Sequence, residues 1–286
     1  MELHEPPPDY PYTRVLEEIA QAGYAGTELG PYGFLPTDPA TLKKGLKQRR
    51  LTLCSAFVAM HLGDRKAHQA GFAHVTRTAE LLCQVGCRVL ILADEVTPER
   101  LAAAGRAADA AQHGWTEAEW EVAQQALSEV VSLCRARGLE VAFHHHVGTH
   151  VETPEEVDRF LALRPAEDFG LCLDTGHCLY GGGDPVEELK RYASRVRCLH
   201  FKDIDAGRLD EVRRQQLDFY DAVRHGVFAL LGQGAVNLQS VVELLRLQEF
   251  DGWVVVEQDV LPGGRGATTP LENATAGREF LRTLGI

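Results

Sequence analysis

No apolar run in this chain approaches the roughly 20 residues that a membrane-crossing helix needs, so no spanning segment is expected. The amino terminus, Met1 to Pro8, has neither a basic start nor an apolar stretch. It does not read as a signal peptide, and a cytoplasmic location is expected. Positive charge is short: 29 Lys and Arg stand against 41 Asp and Glu, a net of −12. Binding to a phosphate backbone draws on clustered basic residues, so no nucleic-acid partner is expected. A second cysteine pair is missing as well. Cys83 and Cys87 lie four positions apart, which alone does not specify a cysteine metal site. The total of 7 cysteines is odd, and Cys54, Cys83, Cys134, Cys172 and Cys198 fall inside apolar strand or helix patterns, as reduced core cysteines do. No repeat and no linker divides the sequence, so one domain over residues 1–286 is expected, a length ordinary for an α/β barrel of about 250 residues.

Strand-like runs alternate with amphipathic helical stretches from end to end, the pattern of βα units around a parallel sheet. Strands are expected at Thr27 to Leu29, Leu51 to Val58, Arg88 to Ala93, Glu140 to His145, Gly170 to Asp174, Val196 to Phe201 and Trp253 to Gln258. Helix starts repeat one chemistry at Thr37-Asp38-Pro39, Thr97-Pro98, Thr153-Pro154 and Asp184-Pro185: a capping oxygen, then proline in the first turn. An eight-stranded barrel needs one more strand ahead of a first helix at Tyr12 to Ala22. Met1 to Asp9 carries three consecutive prolines there, which do not fit a central strand. The expected fold is therefore a (β/α)8 TIM barrel that lacks its first strand or closes in another way. Leu101 to Thr116 and Asp205 to Asn237 are expected to be long loops serving as lids or substrate walls.

Four of the strands end alike, with an apolar run followed by a group able to bind a metal: His144, Asp174, His200 and Glu257. Side chains alternate faces along a strand, and these four share parity with Ala142, Cys172, Cys198 and Val255, residues that suit a crowded barrel interior. Two imidazoles and two carboxylates at strand carboxyl ends would meet at one mouth, a mixed nitrogen and oxygen set suited to Mn²⁺, Co²⁺, Fe²⁺ or Zn²⁺. Each alone is equally a loop hydrogen-bonding group. Of the run His144-His145-His146, His145 is read as structural and His146 as a substrate contact or a rival ligand. His177 is read as a metal or substrate contact against a plain loop histidine, and Lys202 as neutralising a developing enolate against a surface lysine. Glu152 is read as a general base or a helix-entry glutamate. Arg224 and the turn Gly232-Gln233-Gly234 are wall residues or turn chemistry.

Seven segments are familiar together: Gly23 to Pro31, Leu35 to Pro39, Phe143 to Gly148, Leu173 to His177, His200 to Asp203, Gly232 to Gly234 and Val256 to Asp259. On these the chain resembles the xylose isomerase-like TIM barrels, the sugar phosphate isomerase and epimerase group, and within it the inosose dehydratase branch. The resemblance implies one divalent metal, Mn²⁺ or Co²⁺ first and Zn²⁺ or Fe²⁺ next. Asp174, His200 and Glu257 match the ligand positions, and a histidine, His144 or His146, stands where the fourth ligand is usually glutamate. It also implies a base six residues after the first ligand, which Glu152 fits if that ligand is His146. Glu28, within the first segment, is expected at the substrate. The activity expected is metal-dependent dehydration of a cyclic polyol ketone such as myo-inosose, with ketose isomerisation or epimerisation as the rival. The partner is then a small sugar or cyclitol, and a homo-oligomer fits the group. A DNA-repair branch conflicts with the net charge of −12, and a non-catalytic ligand-binding barrel is the remaining alternative.

Overall fold

The computed structural model describes residues 10–259 and 269–286. In chain order the strands are β1 Gly26–Glu28, β2 Thr52–Met60, β3 Val89–Asp94, β4 Glu140–His144, β5 Gly170–Asp174, β6 Val196–Phe201, β7 Asp203–Ile204, β8 Phe228–Ala229 and β9 Trp253–Val256. Seven of them form one parallel sheet in the order β1-β2-β3-β4-β5-β6-β9, curled into a nearly closed TIM barrel ringed by helices. The remaining two, β7 and β8, pair antiparallel as a short ribbon. No helix among the described residues is long and apolar enough to cross a membrane.

Side-chain alternation sorts the core into two parts. Ile91, Ala142, Cys172 and Cys198, on alternate positions of β3 to β6, form a small cluster inside the barrel. Residues of the other parity, among them Leu92, Phe143, Leu171, Leu173 and Leu199, join the large cluster packed under the helices. The proline-led helix starts are capped as the sequence indicates, with side-chain oxygens of Asp38, Thr97, Thr153 and Asp184 each accepting an amide of its own first turn. At Thr153 the cap is reciprocal, because Glu156 reaches back to the Thr153 amide.

Among the described residues the barrel stays open at one seam. Among the described residues β1 pairs only with β2 and β9 only with β6, and no strand precedes the helix Tyr12–Ala22, whose amino-terminal cap is Pro11. A cavity of about 600 Å³ lies at the seam, lined by Gly26, Thr27, Trp253, Val255 and Leu281 among others. The helix layer nevertheless closes over it: Tyr12–Ala22 packs on Pro270–Thr283, and the Tyr24 hydroxyl donates to the Ala274 carbonyl at 3.1 Å. Inside, the Trp253 ring covers Gly26, where a Cβ would lie 3.0 Å from the indole.

Both expected long loops are corrected to helical excursions. The first holds helices Pro98–Ala103 and Ala107–Ala110 and a short 3₁₀ turn, Ala111–His113. The second holds helices Ala206–Gln215 and Phe219–Arg224, with the ribbon partner β8 after them. Leu209, Val212, Phe219, Ala222, Val223 and Phe228 give this second excursion an apolar core of its own, shared with Val147 and Tyr180. That spacing of apolar residues, three and four apart, is helical, and it was masked by the polar residues between them.

Thr153→Ala removes the cap of the helix Pro154–Ala162 next to the barrel mouth. It is expected to lower unfolding stability by about 1 kcal/mol, measured by urea denaturation. A midpoint unchanged at constant slope would mean that the capping box contributes nothing.

Candidate metal centre

His144, Asp174 and His200 are the last or next-to-last residues of β4, β5 and β6, and Glu257 follows β9 directly. Each sits two residues beyond the apolar interior layer, so the parity that buries Ala142, Cys172 and Cys198 also turns these groups inward. His144, Asp174 and His200 are buried at 2%, 0% and 1% exposure, too dry for unpartnered polar groups. His144 Nε2 lies 3.5 Å from Asp174 Oδ2. His200 Nδ1 lies 3.2 Å from Glu257 Oε1 and 3.9 Å from Asp174 Oδ2. Asp174 Oδ2 and His200 Nδ1 make no hydrogen bond with any described group. Two overlapping sets, His144/Asp174/His200 and Glu28/His200/Glu257, each gather their donor atoms within 4.8 Å of one another, close enough to share a cation.

Lys202 is the second feature of the site. Its ammonium is 3.0 Å from Asp259, 3.2 Å from Glu257 and 3.5 Å from Asp174, and it donates to His177 Nε2 at 3.0 Å. The segment Asp174-Thr175-Gly176-His177 is built around it. The Thr175 hydroxyl accepts the Lys202 amide at 2.9 Å and donates to the Lys202 carbonyl at 2.7 Å. A Cβ on Gly176 would lie 2.8 Å from Lys202 Cβ and Cγ, so only glycine lets the lysine pass. Asp174 Oδ1 accepts the His177 amide at 2.7 Å, which caps the helix Thr175–Tyr180 and fixes the carboxylate.

Charge follows from this crowding. Burial opposes ionisation of Asp174, but Lys202 and His144 more than offset it and hold the carboxyl well below its usual range. Burial likewise disfavours charge on His200, yet the Glu257 and Glu28 carboxylates raise it well above an ordinary imidazole. His144 is pulled down, chiefly by burial. Lys202 is held charged against burial by Asp174, Asp259 and Glu257.

The other candidate residues divide. His145 turns toward the helices and accepts the Asp174 amide at 3.3 Å. His146 lies away from the carboxylates: its Nδ1 is 2.6 Å from the Val147 carbonyl and its ring is 3.9 Å from that of His177. Burial drives its pKa down to about 3. Geometry thus sets His144, not His146, among the carboxylates. His177 and Lys202 are at the centre, and Glu28 reaches it too, with Oε1 3.1 Å from His200 Nε2. Glu152 does not. Its two oxygens accept the amides of Gly105 and Gly148, both at 2.7 Å, and the buried Arg100 guanidinium, paired with Glu156 at 2.8 Å, lies 4.0 Å away. The carboxylate is used to tie the first excursion to the loop after β4. Arg224 is corrected from a wall residue to a surface one: its helix buries Phe219, Ala222 and Val223, which turns Arg224 outward to pair with Asp221 at 2.6 Å. The turn Gly232 to Gly234 is organised by Asp203, which accepts the amides of Gly232, Gly234 and Val236.

Two features escaped the sequence reading. Asp259 has the same parity as Val255 and Glu257, and that parity was the signal available for it. Asp94 at the end of β3 accepts from His150 Nδ1 at 2.8 Å, while the His150 ring stacks on Trp115. His150 lies six residues past His144, and choosing that ligand would have pointed to it.

Residues 16–284 match the family described as Xylose isomerase-like TIM barrel. The chain is 33% identical over 289 residues to an inosose dehydratase of Geobacillus kaustophilus strain HTA426, spanning 96% of this chain and 88% of that protein. It is 29% identical over 271 residues to an inosose dehydratase of Clostridium botulinum strain Alaska E43, spanning 95% and 89%. Among solved structures, a probable 3-DHS dehydratase from Bacillus anthracis shares the fold with a TM-score of 0.71 at 14% identity, over 98% of this chain and 95% of that one. The IolI protein with a binding zinc atom gives 0.71 at 18% identity, over 94% and 91%.

Glu152→Gln replaces one carboxylate oxygen with an NH2 group that cannot accept, so one of the two glycine amides loses its partner. A stability loss of about 1–3 kcal/mol is expected, with metal uptake unchanged, by urea denaturation and metal analysis. Unchanged stability alongside a collapse in turnover would return Glu152 to proton transfer.

Proposed function

The chain belongs to the xylose isomerase-like TIM barrel family, and on that premise we propose that it dehydrates a cyclic polyol ketone of the myo-inosose type with a divalent metal held by His144, Asp174, His200 and Glu257. The observation that carries the reading is the convergence of these four side chains with two of their atoms, Asp174 Oδ2 and His200 Nδ1, buried without a hydrogen bond. A cation fits there, since both orphans are donors to a metal. The mixed imidazole and carboxylate set favours Mn²⁺ or Co²⁺, with Zn²⁺ and Fe²⁺ compatible. The choice of reaction leans on the likeness to inosose dehydratases along nearly the whole chain.

When bound, the metal supplies Lewis acidity to the substrate carbonyl. The chain's own groups do the rest. Lys202 places a fixed positive charge beside the ligand atoms, where it offsets negative charge growing on the carbonyl oxygen as the neighbouring carbon loses its proton. His177 holds that ammonium, and Thr175 holds the Lys202 backbone behind it. Asp259, 3.0 Å from Lys202 with 38% of its side chain exposed, faces the open flank of the site. Desolvation of the part packed into the site raises its pKa above the usual carboxylate value against the opposing pull of Lys202, with the Glu257 carboxylate adding to the rise, which suits a proton acceptor. The C–H bond breaks toward Asp259 and its electrons form the new carbon–carbon double bond. The hydroxyl on the next carbon leaves with the proton as water, and the resulting enol becomes a diketone. Phe219 and Phe228, packed around His146 and His177, keep that side of the site dry.

With myo-inosose the protein should form a product absorbing in the ultraviolet, lose that activity to a chelator and regain it with Mn²⁺ or Co²⁺. His200→Ala should lose stoichiometric metal. Retained metal in that variant, or solvent deuterium entering the ketone without dehydration, would overturn the reading, the second result in favour of epimerisation.

Ligation needs a neutral imidazole, whereas His200 in the metal-free protein stays protonated above the ordinary histidine range. Metal uptake should therefore expel a proton, and apparent affinity should rise with pH until His200 is neutral without metal. Calorimetry in two buffers of different ionisation heat measures the proton count. Tighter binding at lower pH would contradict this charge assignment.

A further inference from the structure

We propose that Glu28 is a positioning residue, which holds the His200 ring so that Nδ1 faces the metal, and that it does not contact substrate. The inference rests on the metal-centre reading above. The two nitrogens of His200 face different partners: Nδ1 looks toward Glu257 and Asp174, and Nε2 lies 3.1 Å from Glu28 Oε1. A neutral imidazole has one lone pair and one N–H. With Nδ1 aimed at the cation, the hydrogen must sit on Nε2, and Glu28 is the acceptor that keeps it there. A carboxylate on the far side of a ligating histidine fixes both tautomer and ring angle.

Glu28 is itself held by a local irregularity of the sheet. The β1–β2 ladder runs Gly26 with Thr52 and Thr27 with Leu53, then skips a residue and sets Glu28 beside Ser55. Bulges re-aim side chains near functional sites. Here the skip sets Glu28 opposite Ser55, whose hydroxyl donates to Glu28 Oε1 at 2.5 Å. Ser55 is buried at 1% exposure, so this hydroxyl is a fixed part of the β2 wall. One carboxylate oxygen thus receives both the serine hydroxyl and the histidine N–H, an arrangement that no substrate contact requires.

The test compares wild type with Glu28→Leu, Glu28→Gln and Ser55→Ala. Binding of Mn²⁺ and Co²⁺ is measured by calorimetry, the Co²⁺ visible spectrum is recorded, and nitrogen chemical shifts of the His200 ring are read with diamagnetic Zn²⁺ bound. Glu28→Leu should weaken metal binding by about 10- to 100-fold. Glu28→Gln, which still offers an acceptor oxygen, should lose less, and Ser55→Ala should move the same way. The wild-type ring should carry hydrogen on Nε2 with Nδ1 bound to metal, and this preference should weaken in Glu28→Leu. At saturating metal the substrate KM should not change. Metal affinity equal to wild type with a raised KM overturns the assignment in favour of a substrate contact. Binding abolished in Glu28→Leu and Glu28→Gln alike, as in His200→Ala, overturns it in favour of direct ligation. Should Glu28→Leu fail to fold, Glu28→Gln and Ser55→Ala decide the matter by the same readings. A wild-type protein that takes up no metal overturns the underlying centre instead, which separates the two failures.

Discussion

A lysine ammonium cannot be buried without carboxylates around it, and Lys202 is buried at 2% exposure at the top of the barrel. That constraint organises the upper half of the molecule. Asp174 arrives from β5, Glu257 and Asp259 from the segment after β9, and His177 from the helix that Asp174 caps. Removing one of these carboxylates leaves the buried ammonium less compensated, so the packing of the strand tops and the assembly of the site are linked. The motif Asp174 to His177 therefore has a physical reading residue by residue: a carboxylate for the charge, a hydroxyl for the Lys202 backbone, a missing side chain for clearance and an imidazole for the ammonium.

The acidic residues at the barrel mouth have two fates, set largely by strand parity. Asp94 follows the outward-facing series Leu90 and Leu92 of β3, Asp203, which opens β7, continues the spacing of Leu199 and Phe201 in β6, and the oxygens of both accept loop amides. Glu152, in the loop after β4, is used in the same way. These groups fix the walls. Asp174 and Glu257 follow the inward series, and their oxygens are left mainly to each other's cationic neighbours. Carboxylates with both oxygens taken by amides have less to offer a cation than Asp174, which gives one oxygen to an amide and leaves the other facing imidazoles and an ammonium. This division separates Glu152 from the site more firmly than distance alone.

The same parity explains what could be read in advance. Seven strands, the first helix and the four proline-led caps are local patterns, and the inward turn of His144, Asp174, His200 and Glu257 follows from period-two alternation. Glu152 and Arg224 were harder because they lie outside regular strands, where parity gives no direction. The fate of Arg224 depends on which face of a short helix is apolar, and that face was hidden in a segment dominated by charge. Glu152 depends on Arg100 and two glycine amides drawn from separate loops. Glu28 was assigned to the site from its segment, but its partner depends on a one-residue skip in the β1–β2 register that no composition reveals.

The open seam and the accessible flank of the site coincide. Glu257 and Asp259 keep 30% and 38% of their side chains exposed, while His144, Asp174 and Lys202 are sealed by their neighbours. Glu257 also borders the seam cavity, together with Thr27 of β1. Two strand edges facing each other across such a gap leave backbone amides and carbonyls without ladder partners. The pairing of helices Tyr12–Ala22 and Pro270–Thr283 and the Trp253 ring over Gly26 hold the edges in place without those hydrogen bonds. Because β1 carries Glu28 and β9 leads into Glu257, the two carboxylates flanking His200 stand on opposite sides of this seam. The geometry of that ligand therefore depends on how firmly helix packing, in place of a strand ladder, fixes the width of the gap.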